Sequence, residues 1–273
     1  MIRKLILLFA CCWIFPVIAQ NLDEAIEKLT TNVPGQVVTP KTTTELAILF
    51  KDATDLSVPR IFVDKLPEDF AQKGSPELYM HVITALILRS NELALRDKML
   101  LTALKNKYDK KEPWTTKEES FFHAMVEKYD VTVTKTIDTQ LEKLLIKIDE
   151  VVPGLAVAQS VYATDWGKKN MMHPYGQMGW LDEQTYAELP YNSLIEATEA
   201  YVTEMNREPS YWQWRIKRQK ATHNRLNRRL AYILAGNIAV YRLEDPYYAP
   251  TVQKIILNNK PLSQLYEATF IEK

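Results

Sequence analysis

The chain has 273 residues, 47% of them hydrophobic and 25% charged, with 34 basic residues against 34 acidic. This balance argues against a nucleic-acid partner held on a basic surface, and the hydrophobic share is that of a folded protein rather than a disordered tail. Both cysteines, Cys11 and Cys12, fall in the first apolar stretch, so the rest of the chain has no disulfide, no thiol chemistry and no cysteine metal site.

Residues 1–19 read as a signal peptide. Arg3 and Lys4 make a short basic region, and residues 5–18 are apolar but short for a bilayer span. Val17, Ile18 and Ala19 form a small-residue cleavage site, which predicts a mature start at Gln20. Two alternatives are a lipidated Cys11 and a retained anchor. Phe9 and the short stretch ahead of Cys11 argue against the first, and Pro16 with its flanking residues argues against the second. Taking Arg3 and Lys4 from the 34 basic residues leaves 32 against 34 acidic ones, a net charge of −2 for the mature chain.

Residues 20–57 are rich in Thr and Asp and read as a leader or linker with one short helix near Leu22 to Leu29. Residues 58–67 read as extended, held by Pro59 and Pro67. From Pro76 to about Lys107 apolar residues recur at helical spacing: Leu78, Val82, Ala85, Leu86, Leu93, Leu100 and Leu104. Thr116 with Glu119 reads as a capping box opening a second helix through Tyr129, and residues 134–148 read as a third. Pro153 suits the first turn of a helix running to about Trp166. Residues 171–191, with their Gly, Tyr and Pro, read as a loop or small hairpin lobe. Further helices are predicted at 193–207, 210–220, 224–234 and 248–257.

The segment PGLAVAQSVYATDWG (residues 153–167), followed by Tyr175, Gly176 and Gln177, resembles the active-site helix of the bacterial glucosaminidases, which cut the glycan strands of peptidoglycan. The family pattern is roughly A-Q-x-x-x-E-[ST]-x-W-G, then a loop, then [FY]-G-Q. Ala158 and Gln159 open the match here, and Thr164, Trp166 and Gly167 close it. Pro59, Arg60, Leu66, Pro67, Asn91, Glu92 and Arg96 resemble the N-terminal extension of bacterial Bax proteins, a glucosaminidase subgroup unrelated to the apoptotic regulator of that name. Ala239, Val240 and Tyr241, with Asp245, Pro246, Tyr247 and Tyr248, resemble the family segment G-Y-[AS]-x-x-x-x-Y.

The resemblance implies a mostly α (α+β) fold: a lysozyme-like glucosaminidase domain with a small hairpin lobe. It divides the chain into a leader over 20–57, a helical extension over 58–133 and a glucosaminidase-like domain over 134–273. The implied partners are peptidoglycan glycan strands and a cell-wall protein. The implied location is periplasmic or secreted, with membrane contact only through an uncleaved signal.

Where the family carries its catalytic Glu, this chain has Ala163. Glycoside hydrolysis needs an acid for the leaving oxygen and a second group that stabilises the oxocarbenium-like centre or activates water. Alanine does neither. The displaced-acid candidates are Asp165, Glu183 and Glu188, with Asp182 beside them. Asp165 is two residues from Ala163, so a helix turns it about 200° away, and it reads as a capping or solvated carboxylate. Asp182, Glu183 and Glu188 read first as solvated loop charges. By resemblance, Tyr175, Gln177, Tyr241 and Tyr248 are the substrate-binding candidates. Ala156, Ser160, Ala163 and Gly167 share one face, read either as a packing stripe or as a cleft floor without its acid.

Arg215, Lys217, Arg218, Lys220, Arg225, Arg228 and Arg229 lie beside Tyr211, Trp212 and Trp214. They read as the solvated face of two helices in preference to an anionic-polymer contact. His81, His123, His173 and His223 show no metal-ligand spacing, so neither a metal nor a cofactor is expected. The function expected is that of a degenerate hydrolase that binds glycan or a partner without cutting. The alternative is an active endo-β-N-acetylglucosaminidase using a displaced carboxylate. Mass analysis of the mature N-terminus is expected to find Gln20. A chain starting at a lipidated Cys11 would refute the cleavage site.

Overall fold

Local capping chemistry sets many of the helix starts. The computed structural model describes residues 22–31, 33–131, 136–169, 191–223, 230–238 and 245–271. Among these residues the chain is mostly helical, with a few short strands. Helix α1 (Leu22–Thr31) opens with Asp23 and Glu24 and closes near Lys28, so its charges oppose the helix dipole. Strand β1 (Gln36–Val38) follows, then α2 (Thr43–Leu49). The Thr42 hydroxyl caps α2 by accepting from the Glu45 amide at 3.1 Å. Both β1 and α2 lie in the stretch expected to be a leader with one short helix near Leu22 to Leu29.

Strands β2 (Ser57–Val58) and β3 (Ile61–Val63) occupy the stretch expected to be extended. β1 pairs with β3 in parallel, Val37 opposite Phe62, and β2 pairs in parallel with the distant β4 (Thr269–Phe270). Short helix α3 (Phe70–Lys73) leads into the long α4 (Pro76–Asp109). The later helices are α5 (Thr116–Lys128), α6 (Ile137–Lys147), α7 (Pro153–Thr164), α8 (Leu194–Arg207), α9 (Trp212–His223), α10 (Leu230–Ala235), α11 (Tyr248–Asn258) and α12 (Lys260–Gln264).

Two units divide the chain. One comprises the described residues up to Val33 together with those of Glu92–Asp149. The other comprises Pro34–Asn91 and everything from Glu150 onward. In the first unit, Leu100, Leu101, Leu104, Phe122, Leu141 and Leu144 are buried. Its buried charges are paired, as they must be. Glu118 is 1% exposed and accepts from Lys107 Nζ at 2.7 and 2.8 Å. The same carboxylate accepts from the Thr115 amide, and the Thr115 hydroxyl accepts from the Glu118 amide. The capping box is therefore Thr115 with Glu118, one residue ahead of the pair read from the sequence. The extended backbone of Thr115 decides it. Asp97 accepts from Lys128 Nζ and from the Tyr129 hydroxyl, both at 2.7 Å. Burial, with Asp97 adding to it, holds the Tyr129 hydroxyl far above its usual titration range.

The second unit is organised around α7. All of its residues except Tyr162 and Ala163 are buried. Helices α10, α11 and α12 and the 3-10 turn Leu265–Glu267 surround it. Pro153 occupies the first turn, where its missing N–H costs nothing. Gly154 comes next because α12 approaches closely. A Cβ there would stand 2.0 Å from the Leu262 carbonyl oxygen.

Two arginines depart from the solvated-face reading. Arg215 and Arg218 on α9 are each only 1% exposed. Arg218 donates to Asn206 Oδ1 at 2.8 Å and to the Glu150 carbonyl at 3.2 Å, and its guanidinium lies over the Trp214 ring. Arg215 donates to the Met205 carbonyl at 3.1 Å. Burial pulls Arg215 down to about 10 against the opposing pull of Glu208 and Glu204, so it stays charged at neutral pH. Backbone carbonyls and an aromatic ring, rather than water, receive these side chains. Lys220 of the same helix is exposed, and Arg225, Arg228 and Arg229 lie outside the described residues.

Gly154→Ala is expected to destabilise the protein by about 1–3 kcal/mol, since the rigid backbone of α12 cannot give way. Gly236→Ala, which meets the movable amide of Gln253, is expected to cost less. Urea unfolding of the two variants checks the difference.

Candidate functional site

Helix α7 is apolar except for a few polar side chains, and each of these recruits a partner from another element. Gln159, 2% exposed, donates from Nε2 to the Tyr248 hydroxyl at 2.8 Å and accepts at Oε1 from the Tyr201 hydroxyl at 2.5 Å. Tyr201 comes from α8 and Tyr248 from the start of α11, so one amide ties three helices together. Burial, with Tyr248 adding to it, keeps the Tyr201 hydroxyl protonated far above its usual range.

A second network sits one turn on. The Thr164 hydroxyl donates to the Ser160 carbonyl at 2.8 Å, a bond that closes within the helix. With that proton committed, Tyr79 from α4 is the donor to Thr164 Oγ1 at 2.9 Å, and the Ser160 hydroxyl is the donor to Tyr79. Thr164 Oγ1 also accepts from the Gly167 amide at 3.0 Å. Burial pushes the Tyr79 hydroxyl up to about 12, so it stays a donor at any ordinary pH.

The helix ends in an uncommon turn. Asp165, Trp166 and Gly167 have φ of 49°, 61° and 76° in succession. A left-handed tryptophan is costly, and such strain gathers where a chain must present something specific. Gly167 admits no side chain, because a Cβ would lie 2.8 Å from the Tyr79 ring. The Trp166 ring meets Tyr79 edge-on at 6.4 Å.

Ala163 lies beside Tyr162 on the one stretch of α7 that leaves the core. The Tyr162 hydroxyl donates to Asp245 Oδ2, while Asp245 Oδ1 accepts from the Tyr247 amide at 2.9 Å. Sequence reasoning missed Asp245 as a carboxylate of this edge. It stood within the quoted Asp245-to-Tyr248 segment, but no local pattern announces a bond to Tyr162. Tyr79 and Tyr201 were missed for the same reason.

Asp165 caps the helix with its side chain half exposed and ion-paired to Lys169 at 3.4 Å. Of the small-residue face, Ala156 and Ser160 are fully buried and Ala163 is half-buried. Tyr248 is 1% exposed and crosses the Tyr162 ring at 4.9 Å, so its ring is a core surface. The exposed ring of that segment is its neighbour Tyr247, at 75%. Tyr175, Gln177, Asp182, Glu183, Glu188 and Tyr241 lie outside the described residues. Comparison of the chain with protein-family models, curated proteins and solved structures returns no match.

Gln159→Leu keeps the volume of α7 but strips two buried hydroxyls of a partner. It is expected to cost about 1–3 kcal/mol in urea unfolding, with Tyr201→Phe costing less. The double variant is expected to lose less than the sum of the two.

Proposed function

We propose that this chain is a degenerate, Bax-like member of the glucosaminidase family, exported by its signal peptide, that binds peptidoglycan glycan strands without cutting them. In this reading residues 153–167 form the active-site helix of a lysozyme-like domain. The observation that supports it most is the placement of position 163. On a helix otherwise sunk in the core, Tyr162 and Ala163 are the residues that leave it, and the family acid would project from there. The methyl group of Ala163 neither donates nor accepts a proton.

One observation favours an active enzyme instead. Asp245 is fastened to Tyr162, next to the vacated position, by a phenol and by the Tyr247 amide. Glycoside hydrolysis needs a second group beside the acid, and a carboxylate held at this edge could stabilise positive charge at an anomeric centre while another residue supplied the proton.

The native protein is expected to co-sediment with purified peptidoglycan and to release no muropeptides above background. A positioned acid contributes about 10²–10⁴-fold, and that factor is missing. Muropeptide release that Asp245→Asn abolishes would replace this reading with the active one. Failure to sediment with peptidoglycan would remove both.

A further inference from the structure

Beside the strained Trp166, the second unit holds a pocket of about 230 Å³ lined by Asp55, Pro76, Glu77, Met80, Trp166, Asn259 and Pro261. Its lining carries two carboxylates and no basic side chain. Lys260, between two lining residues, is exposed and is not part of the wall. The nearby histidine does not offset that charge. His81, one turn along α4 from Glu77, is 4% exposed, and its Nε2 has no hydrogen-bond partner. Burial holds it below the usual histidine range against the upward pull of Glu77 and Asp55, so it is neutral at neutral pH. The lining therefore joins two carboxylates to an aromatic ring and contributes no basic side chain of its own, and the imidazole one turn from Glu77 is neutral.

Three kinds of ligand suit a carboxylate pair beside a tryptophan, and size and donor set choose among them. Among the described residues, no group of three His, Cys, Asp or Glu side chains is placed to hold a metal ion. At about 230 Å³ the pocket is smaller than the roughly 300–1,000 Å³ usual for sites of larger ligands, which disfavours an oligosaccharide. A short organic cation remains. We propose that the pocket walled by Asp55, Glu77 and Trp166 binds a small aliphatic primary ammonium. Its N–H groups donate to the two carboxylates as charge-assisted bonds, its charge is attracted to the Trp166 ring, and its methylenes lie on Met80, Pro76 and Pro261.

The test uses the full-length chain and n-butylammonium chloride, followed through the Trp166 indole N–H resonance, which Trp166→Phe identifies. The expected result is a saturable shift that n-butanol, of the same size but uncharged, does not produce. The double variant Asp55→Asn with Glu77→Gln is expected to bind the amine at least about tenfold more weakly. Both substitutions keep side-chain size, and far-UV circular dichroism verifies the fold. Glu77→Gln alone, at an exposed position in the first turn of α4, serves if the double variant is unfolded. The proposal is overturned by the absence of a saturable shift, by equal binding of n-butanol, or by unchanged affinity in the variant. A response to N-acetylglucosamine or to calcium with none to the amine also overturns it.

Discussion

A helix enclosed on nearly every side has no water to satisfy its polar side chains. Helix α7 lives under that constraint. Its apolar residues, from Leu155 to Ala158, are entirely buried, and so are Gln159, Ser160 and Thr164. Leaving any one of those polar groups unmet would cost on the order of 1–3 kcal/mol, a large share of the few kcal/mol by which a fold of this size persists. Tyr79, Tyr201 and Tyr248 meet the need, each delivered by a different helix. Tyrosine suits the task because its ring fills core volume and its hydroxyl completes the bond. The orientation of α4, α8 and α11 about α7 is thus fixed by directional bonds as well as by apolar contact. The cost of a strained Asp165–Trp166–Gly167 turn is carried by this same network, through the Thr164 hydroxyl that holds the Gly167 amide.

The same burial narrows where chemistry can occur. A helix that exposes two neighbouring residues offers a ligand a short edge, and everything attached to that edge matters more. Tyr162 supplies a phenol already engaged with Asp245, and Ala163 supplies only a methyl group. Whatever this edge does rests on Asp245, on the exposed Tyr247 and on residues brought to it from elsewhere in the unit. Trp166, three residues beyond Ala163, lines the pocket it shares with Asp55 and Glu77.

Much of the fold was legible because it is encoded locally. Helix α4 announces itself by its apolar period, α7 by Pro153 and by Gly167 beyond its end, and α8 by Ser193, whose hydroxyl caps it at 3.0 Å from the Glu196 amide. Non-local pairing was illegible. Nothing near Gln159 names Tyr201 and Tyr248, and nothing near Ser57 names Thr269. The capping box slipped by one because Thr115 and Thr116 are each followed three residues later by a glutamate, and only the backbone angle of Thr115 separates them. Arg215 and Arg218 were misread because a charge pattern states polarity, while their burial depends on Trp214 and on carbonyls of α8 and its surroundings. Of the candidate site, the chain gave the position of Ala163 and the end of its helix but not the partners of the exposed edge.

Strand β2 pairs with β4, so Val58 finds its ladder partner only in Phe270. Arg60 lies over that same Phe270 ring at 4.1 Å, and Phe62 meets it edge-on at 6.0 Å. During synthesis, a ribosome delivers residues 57–62 long before it delivers residue 270. Until then β2 is an open edge and Phe62 lacks its edge-on contact with Phe270, the kind of surface on which nascent chains pair wrongly. The β2–β4 ladder thus closes late by necessity. The residues around Thr269 therefore act as a latch on the second unit, and a chain truncated just before them would leave the ribosome with that edge unguarded.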